Sequence, residues 1–435
     1  MGGVSDKGLF EAGPWPRGIN NLAEEDQQPV DENGARLSLR EADNVDLTKA
    51  GWPRRRNGYE LALAGSISHS LWSTDGLPWG LFVDDGFLCT LDLAEQAESL
   101  NVEVGGHPVS YELINDRVFY TNRTHCGMVS LDGQVMPWAP EHPAGQPHAA
   151  AAPGYSLPAG LYQVAVTFTD SLGRESGCTA GVAIEVAAGD AIELTHIPVP
   201  AGVATVNVYV TDANDQVFRL HHQLLGGATS SIIAQSAKGR ALTTQFLVPM
   251  PPGEIVRLHN GRQYVASGKN LRWSPALRYG MTDPARNIIH FNDEITMLEP
   301  VGAGGQNAGI FVGLGRKTIW LAGVDPSGFS NRVVHSAGVI PGSSIRVTGQ
   351  AFGRESKVDV PVWVSRAGYY VIGNEGGSLT FLKEGEAVIN DATRAATLYR
   401  QEGGIQQLVT AMRGTKGNGF AVSDRLVGHV IHADD

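Results

Sequence analysis

The sequence predicts an all-β chain: a β-propeller-like platform of about five or six blades with an inserted immunoglobulin- or fibronectin-like β-sandwich. Three observations predict it. Strand–turn–strand units with Gly or Asn at their turns recur along the chain. The composition is rich in Gly (54) and Pro (23), which supply turns and interrupt helices. A central block between Pro-rich borders alternates apolar and polar residues with the period of a strand.

The units follow in order. WGLFVDDGFLCTLDL (residues 79–93) reads as strand, Asp-Asp-Gly turn, strand. VSYELINDRVFYTN (109–122) repeats the scheme with an Asn-Asp turn, and IVRLHNGRQYVASGKNLRWSP (255–275) with Asn260-Gly261. GIFVGLGRKTIWLAG (309–323) and VPVWVSRAGYYVIGNEGGSLTFL (360–382) continue the series. With the central block set aside, the units return every 40 to 55 residues, roughly, as propeller blades do. A pair of β-sandwiches is the alternative architecture.

The central block opens with PWAPEHPAGQPHAAAAPGYSLPAG (137–160), which lacks a hydrophobic period and reads as a linker. In LYQVAVTFTD, Tyr162, Val164, Val166 and Phe168 share one face, and Gln163, Thr167 and Thr169 the other. The predicted domains are an extended arm with the first strands (1–60), a first platform part (61–140), the sandwich (151–250), and a second platform part with the C-terminal tail (254–435). Only DATRAATLYRQ (391–401) reads as helix, with Asp391 at its N-cap.

Composition bounds the function. Hydrophobic residues make up 42%, enough for a sizeable core, and charged residues only 18%, as extensive subunit interfaces would require. The formal net charge of -12 argues against a protein that grips DNA, because duplex affinity comes from neutralised phosphates, but not against a wall that DNA slides past. Cys89, Cys126 and Cys178 lack the spacing of a disulfide framework or a metal site, and read as small buried hydrophobes. The N-terminal stretch has no apolar core and is not read as a signal peptide, and no run is long enough to span a bilayer.

No catalytic motif stands out, so the expectation is a non-enzyme without catalytic residues, cofactor or metal. GLGRK (313–317) sits in a predicted hairpin and reads as a turn, not a phosphate loop. His221 and His222 are neighbours on a predicted strand, where side chains alternate, so they are not expected to share a metal. STDGLPW (73–79) approaches the Asp box of sialidase-type propellers without its Thr, and that box is a structural turn. Asp84 and Asp85 read as hairpin residues.

The charge outlier is Arg54, Arg55 and Arg56 in READNVDLTKAGWPRRRNGYE (40–60). Three readings stand: a solvated turn, a subunit contact with carboxylates such as those of NLAEEDQQPVDE (21–32), or a contact with DNA phosphate in a channel.

The same region resembles the N-termini of phage and prophage virion proteins. The matching residues are Pro16, Gly18, Ile19, Asn20 and Asn21; Ala42, Asn44, Val45, Asp46 and Leu47; and Gly51, Arg56, Gly58 and Tyr59. The likeness continues through GLYQVAVTFTDSLGRESG, NGRQYVASGKNLRWSPALRYG and VWVSRAGYYVIGNEGGSLTFL. The family resembled is that of tail hub (packaged-DNA stabilisation, head-to-tail) and tail nozzle proteins of short-tailed bacteriophages. The resemblance implies a structural virion protein, assembled in the host cytoplasm as a homohexamer ring. It would sit below the portal and adaptor rings, extend the channel for double-stranded DNA, retain the genome, and carry tail fibres, spikes or a needle. It implies no membrane insertion by the subunit itself. Two other readings are an adhesin, which predicts exposed aromatics on a sandwich face, and a propeller enzyme acting on polysaccharide. Within the tail reading, the arginine segment is expected to be a subunit contact.

Overall fold

The computed structural model describes residues 14–42, 45–48, 50–55, 61, 63–302, 304–355, 358–382, 384, 388–389, 391–402, 405–414 and 427–432. Among these, regular structure is antiparallel β with short 3-10 turns. The chain divides into two units, residues 65–291 and residues 1–64 with 292–435.

Tight turns set the register of the hairpins. Asp85-Gly86, Asn115-Asp116 and Asn260-Gly261 each place both central residues at positive φ. That is the two-residue turn whose twist matches a right-handed strand pair. The first unit holds three four-stranded meanders. Sheet A is His69–Trp72, Trp79–Asp84, Phe87–Asp92 and Ala97–Glu103; sheet B is Ser110–Ile114, Arg117–Thr121, Cys126–Ser130 and Val135–Met136; sheet C is Ile255–His259, Arg262–Ser267, Asn270–Trp273 and Ile288–His290. The second unit holds sheet D (Ile295–Val301, Gly309–Leu314, Thr318–Ala322, Ser330–His335), sheet E (Ile345–Thr348, Asp359–Val364, Tyr370–Gly373, Leu379–Leu382) and the three-stranded sheet F (Arg394–Glu402, Ile405–Arg413, Val427–His432).

These sheets stack as blades do, using both faces. In sheet B, Tyr111, Val118, Tyr120 and Val129 pack on Leu81, Val83 and Leu88 of sheet A. The alternate residues Ile114, Phe119 and Met128 pack with Val256 and Val265 of sheet C. In sheet E, Trp363 and Val371 meet Phe311 and Trp320 of sheet D, while Val362, Val364, Tyr370 and Ile372 meet Leu408 and Met412 of sheet F. Burial on two sides explains the continuous apolar runs such as GIFVGL, in which every residue is buried. Polar cross-links fix the stacking: Ser344 Oγ and Arg346 Nε bond the wholly buried Glu299 at 3.0 and 3.1 Å. The fold is thus all-β and β-propeller-like within each unit.

The sandwich interrupts the chain between sheets B and C. One sheet is His148–Pro153, Asp190–Thr195 and Ser231–Ile233; the other, in spatial order, is Val182–Val186, Gly160–Thr169, Thr205–Val210 and Arg219–Leu225. Tyr162, Val164, Val166 and Phe168 point into its core with Ile192, Leu194, Val206 and Val208, as the alternation predicts. The three-plus-four division is immunoglobulin-like, although the first sheet takes the first, fourth and seventh strands, an order of its own.

Two expectations are corrected. The Pro- and Ala-rich segment is not all linker: His148–Pro153 is the first sandwich strand, paired along its length with Asp190–Thr195. Residues 391–401 are not helical: Arg394–Glu402 is a strand. Ala395 is buried and Thr397 and Tyr399 half-buried, while Arg394, Ala396 and Leu398 are exposed. The period is two, and pairing with Ile405–Arg413 satisfies a backbone that Ala would also allow to coil. Asp391 is engaged by Arg366 Nη1 at 2.7 Å.

Candidate functional site

The arginine segment forms a short hairpin. Val45–Leu47 pairs with Pro53–Arg55, placing Asp46 opposite Arg54 and Val45 opposite Arg55. Thr48 closes the turn: its carbonyl accepts from Gly51 N at 2.8 Å and its Oγ1 from Trp52 N at 3.0 Å. Gly51 has φ +80°, and a Cβ there would lie 2.2 Å from the Trp15 carbonyl carbon, so glycine is required. The hairpin is tied to sheet F through Arg400, whose Nη2 donates to Asp46 Oδ2 at 2.9 Å. Arg54 and Arg55 are both exposed, on opposite sides of their strand. Arg56 lies outside the described residues.

The acidic stretch belongs to the same unit. Its backbone runs beside residues 36–39, with Asn20 N donating to Leu39 O at 2.7 Å. Asn21 clamps the backbone of Val388, donating to its carbonyl and accepting from its N–H, each at 2.8 Å. Glu24 pairs with Arg40. Glu25, Asp26, Asp31 and Glu32 are exposed. One unit therefore presents an exposed basic hairpin, braced by the part-buried Asp46–Arg400 pair, and an exposed acidic segment held by Asn21 and Arg40 at the surface.

The sandwich is riveted to the sheets around it. Arg174, at the base of the DSLGR turn, bonds Asp170 and donates from Nη1 to Trp138 O at 2.8 Å and from Nη2 to Pro137 O at 3.2 Å. Trp138 Nε1 donates to Met250 O at 3.0 Å, joining the chain's entry to and exit from the insertion. On the outer face, Glu175 accepts from Thr167 Oγ1 and Tyr209 OH, each at 2.7 Å, and pairs with Arg240 at 3.0 Å. Burial and then this carboxylate push Tyr209 up to about 12. Of the sandwich aromatics, Tyr162, Phe168, Tyr209 and Phe218 are buried, while Tyr155 and Phe246 are exposed.

His221 and His222 depart from expectation. Val208 pairs with His222 but Tyr209 with Leu220, so His221 is the extra residue of a β-bulge. The bulge cancels the alternation and turns both imidazoles together: their Nδ1 atoms touch and the ring centroids are 4.7 Å apart. His222 Nε2 lies 2.6 Å from Ser231 Oγ on the opposing sheet. Burial lowers the pKa of both; for His221 the Gln235 backbone opposes it, and for His222 the neighbouring His221 adds to it. The sequence signal was the HH pair, but a bulge is not legible without the partner strand.

The remaining sequence features are structural. Asp84 Oδ1 accepts from Ser66 N at 3.0 Å and Ser68 Oγ at 2.7 Å, and Asp85 is a turn residue. Leu314 N bonds Lys317 O across the GLGRK turn. Cys89, Cys126 and Cys178 are free thiols, and burial pushes Cys126 up to about 12. Among the described residues, no three His, Cys, Asp or Glu side chains gather as a metal site.

No family model matches the chain, and no curated protein matches it. Solved structures that align with it include BBS1N in its complex with ARL6DN, at 11% identity and a TM-score of 0.32, over 82% of this chain and 92% of that one. Hsv2 of Kluyveromyces lactis aligns at 5% identity and a TM-score of 0.27, over 81% and 94%. The WD40 domain of SCAP from fission yeast aligns at 7% and 0.27, over 85% and 73%. Likenesses this distant carry no argument about function.

Proposed function

We propose that the chain is a structural subunit that closes with its own copies into a ring, and that the ring is part of a short-tailed phage tail, as hub or nozzle. The observation that carries the reading is charge complementarity within one unit. Arg54 and Arg55 stand exposed on a hairpin braced by Asp46 and Arg400, and Glu25, Asp26, Asp31 and Glu32 stand exposed on the arm. A basic patch on one copy can meet the acidic segment of the next, a head-to-tail contact that closes when the rotation allows. The net charge of -12, multiplied by copy number, gives a channel wall that DNA passes without sticking. The likeness of the N-terminal motifs to virion proteins supplies the context: adaptor and portal-side proteins above, fibres, spikes or a needle attached, and location in the virion.

The test is the mass of the purified chain by light scattering, then negative-stain imaging, with and without the adaptor ring. A six-fold ring is the expected result. Arg54→Glu with Arg55→Glu should abolish it, and adding Glu25→Lys with Asp26→Lys should restore it. A stable monomer that ignores the adaptor would end the reading; normal rings from the double-Glu variant, on tails that leak DNA, would move the arginines to the channel.

A further inference from the structure

We propose that His221 and His222 form a binding site for a divalent late first-row metal ion, held by the two Nδ1 atoms with water completing its shell. The site lies on Arg219–Leu225, the last strand of the four-stranded sandwich sheet, whose first residues are covered by 239–242, with Leu220 N donating to Arg240 O at 2.9 Å. Both residues are half-buried.

The argument rests on where the four ring nitrogens point. The bulge at Val208 and Tyr209 brings the two Nδ1 atoms into contact. Two neutral imidazoles can share that contact only if one carries its proton on Nδ1 and the other presents a lone pair. The distal nitrogens decide what can replace that proton. His222 Nε2 has Ser231 Oγ at 2.6 Å, a hydroxyl able to accept. His221 Nε2 is buried and has no hydrogen-bond partner. With both protons on Nε2, that of His222 facing Ser231, both Nδ1 atoms turn a lone pair to the same gap, which a metal would occupy by parting the two rings now in contact. His222 has the arrangement of a ligating histidine: one nitrogen free for a metal, and an oxygen acceptor holding the other N–H and so fixing the tautomer.

Imidazole nitrogen suits Zn, Cu and Ni and not the oxygen-seeking Mg or Ca. Two protein ligands leave the site weaker than a closed structural zinc site, and exchangeable. Occupation would hold His222 in the tautomer that donates to Ser231, whose strand belongs to the other sandwich sheet.

The experiment titrates Zn2+ into the full chain, followed by calorimetry and by imidazole nitrogen NMR. The expected result is one equivalent bound at this pair, with both Nδ1 resonances, and not Nε2, showing the change of ligation. His221→Ala and His222→Ala should each weaken that binding by about 100-fold or more, and Ser231→Ala by about 10-fold, at the low end of supporting-residue losses. A thermal midpoint that rises with Zn2+ in the wild-type chain but not in the two His variants would agree. Zn2+ that leaves both Nδ1 resonances unmoved, or binds both His variants as tightly as wild type, would overturn the proposal. The NMR arm uses only the wild-type chain, so it decides even if a variant fails to fold.

Discussion

Arg174 illustrates how much one side chain can hold. Its guanidinium bonds one carboxylate and two backbone carbonyls, so the turn that carries it is pinned to the segment entering the insertion. Bonds to charged groups are worth about 1.5 to 3 kcal/mol each at most, and partial exposure reduces this. Arg174→Ala is expected to lower unfolding stability by about 1 to 3 kcal/mol, read as a shift in urea midpoint at unchanged slope. An unchanged midpoint would mean that the Arg174 bonds add nothing net to stability. Cys126 offers a second check at this scale. Its thiol is pushed up to about 12 by burial, and the thiolate is the reactive form. Half-buried as it is, it should exchange slowly with disulfides at neutral pH, while rapid labelling of the native protein at Cys126 would contradict the raised pKa.

At the scale of elements, close backbone approach explains two glycines that strand propensity does not. Gly51 and Gly280 both have φ +80°, and Cβ atoms there would fall 2.2 Å from the Trp15 carbonyl carbon and 1.9 Å from the Trp138 oxygen. Each position combines left-handed backbone with a backbone neighbour that cannot rotate away, so Gly280→Ala should cost well over about 1 kcal/mol. Retention of the wild-type thermal midpoint in Gly280→Ala would disprove the contact. The Arg394–Glu402 strand shows propensity overridden. Its Ala-rich sequence favours helix in isolation, but it presents Ala395 to the core that Leu408 and Met412 share. The reading from local composition fails there because a helix would leave the Ile405–Arg413 strand unpaired on that side. Leu408→Ala should destabilise the chain by about 2 to 5 kcal/mol, as for other core leucines.

For the whole molecule, buried tyrosines and histidines set a pH window. Burial first pushes Tyr120 and Tyr209 up to about 12 from 10.0, and drives Tyr111 and Tyr370 upward as well. The unfolded chain loses these protons first as pH rises. Their contribution is complete below about pH 10 and is lost as pH climbs through the folded values. On the acid side burial lowers His142, His221, His222 and His335 below 6.5. The unfolded chain binds these protons first, so their contribution is complete above about pH 6.5 and lost as pH falls through the folded values. The thermal midpoint should therefore be highest between about pH 6.5 and 10 and decline on both sides. Tyrosinate absorbance from the buried rings should appear with unfolding, not before it. A midpoint still flat at pH 12 would show that these rings are not buried as the packing requires.

By itself the sequence determined the local β structure. Asp85-Gly86, Asn115-Asp116 and Asn260-Gly261 specify their turns because few residues tolerate positive φ, and the alternation from Tyr162 to Phe168 names the sandwich core because strand side chains repeat every two residues. It also marked the charged segments, since charge is a property of composition. The tertiary structure decided what depends on a partner strand or a distant neighbour. The bulge that turns His221 toward His222 exists only against Val208 and Tyr209, and the strand at Arg394–Glu402 only against Ile405–Arg413. The brace from Arg400 to Asp46 joins residues 354 positions apart. Pairing and packing energies of this kind belong to two segments at once, and neither segment read alone contains them.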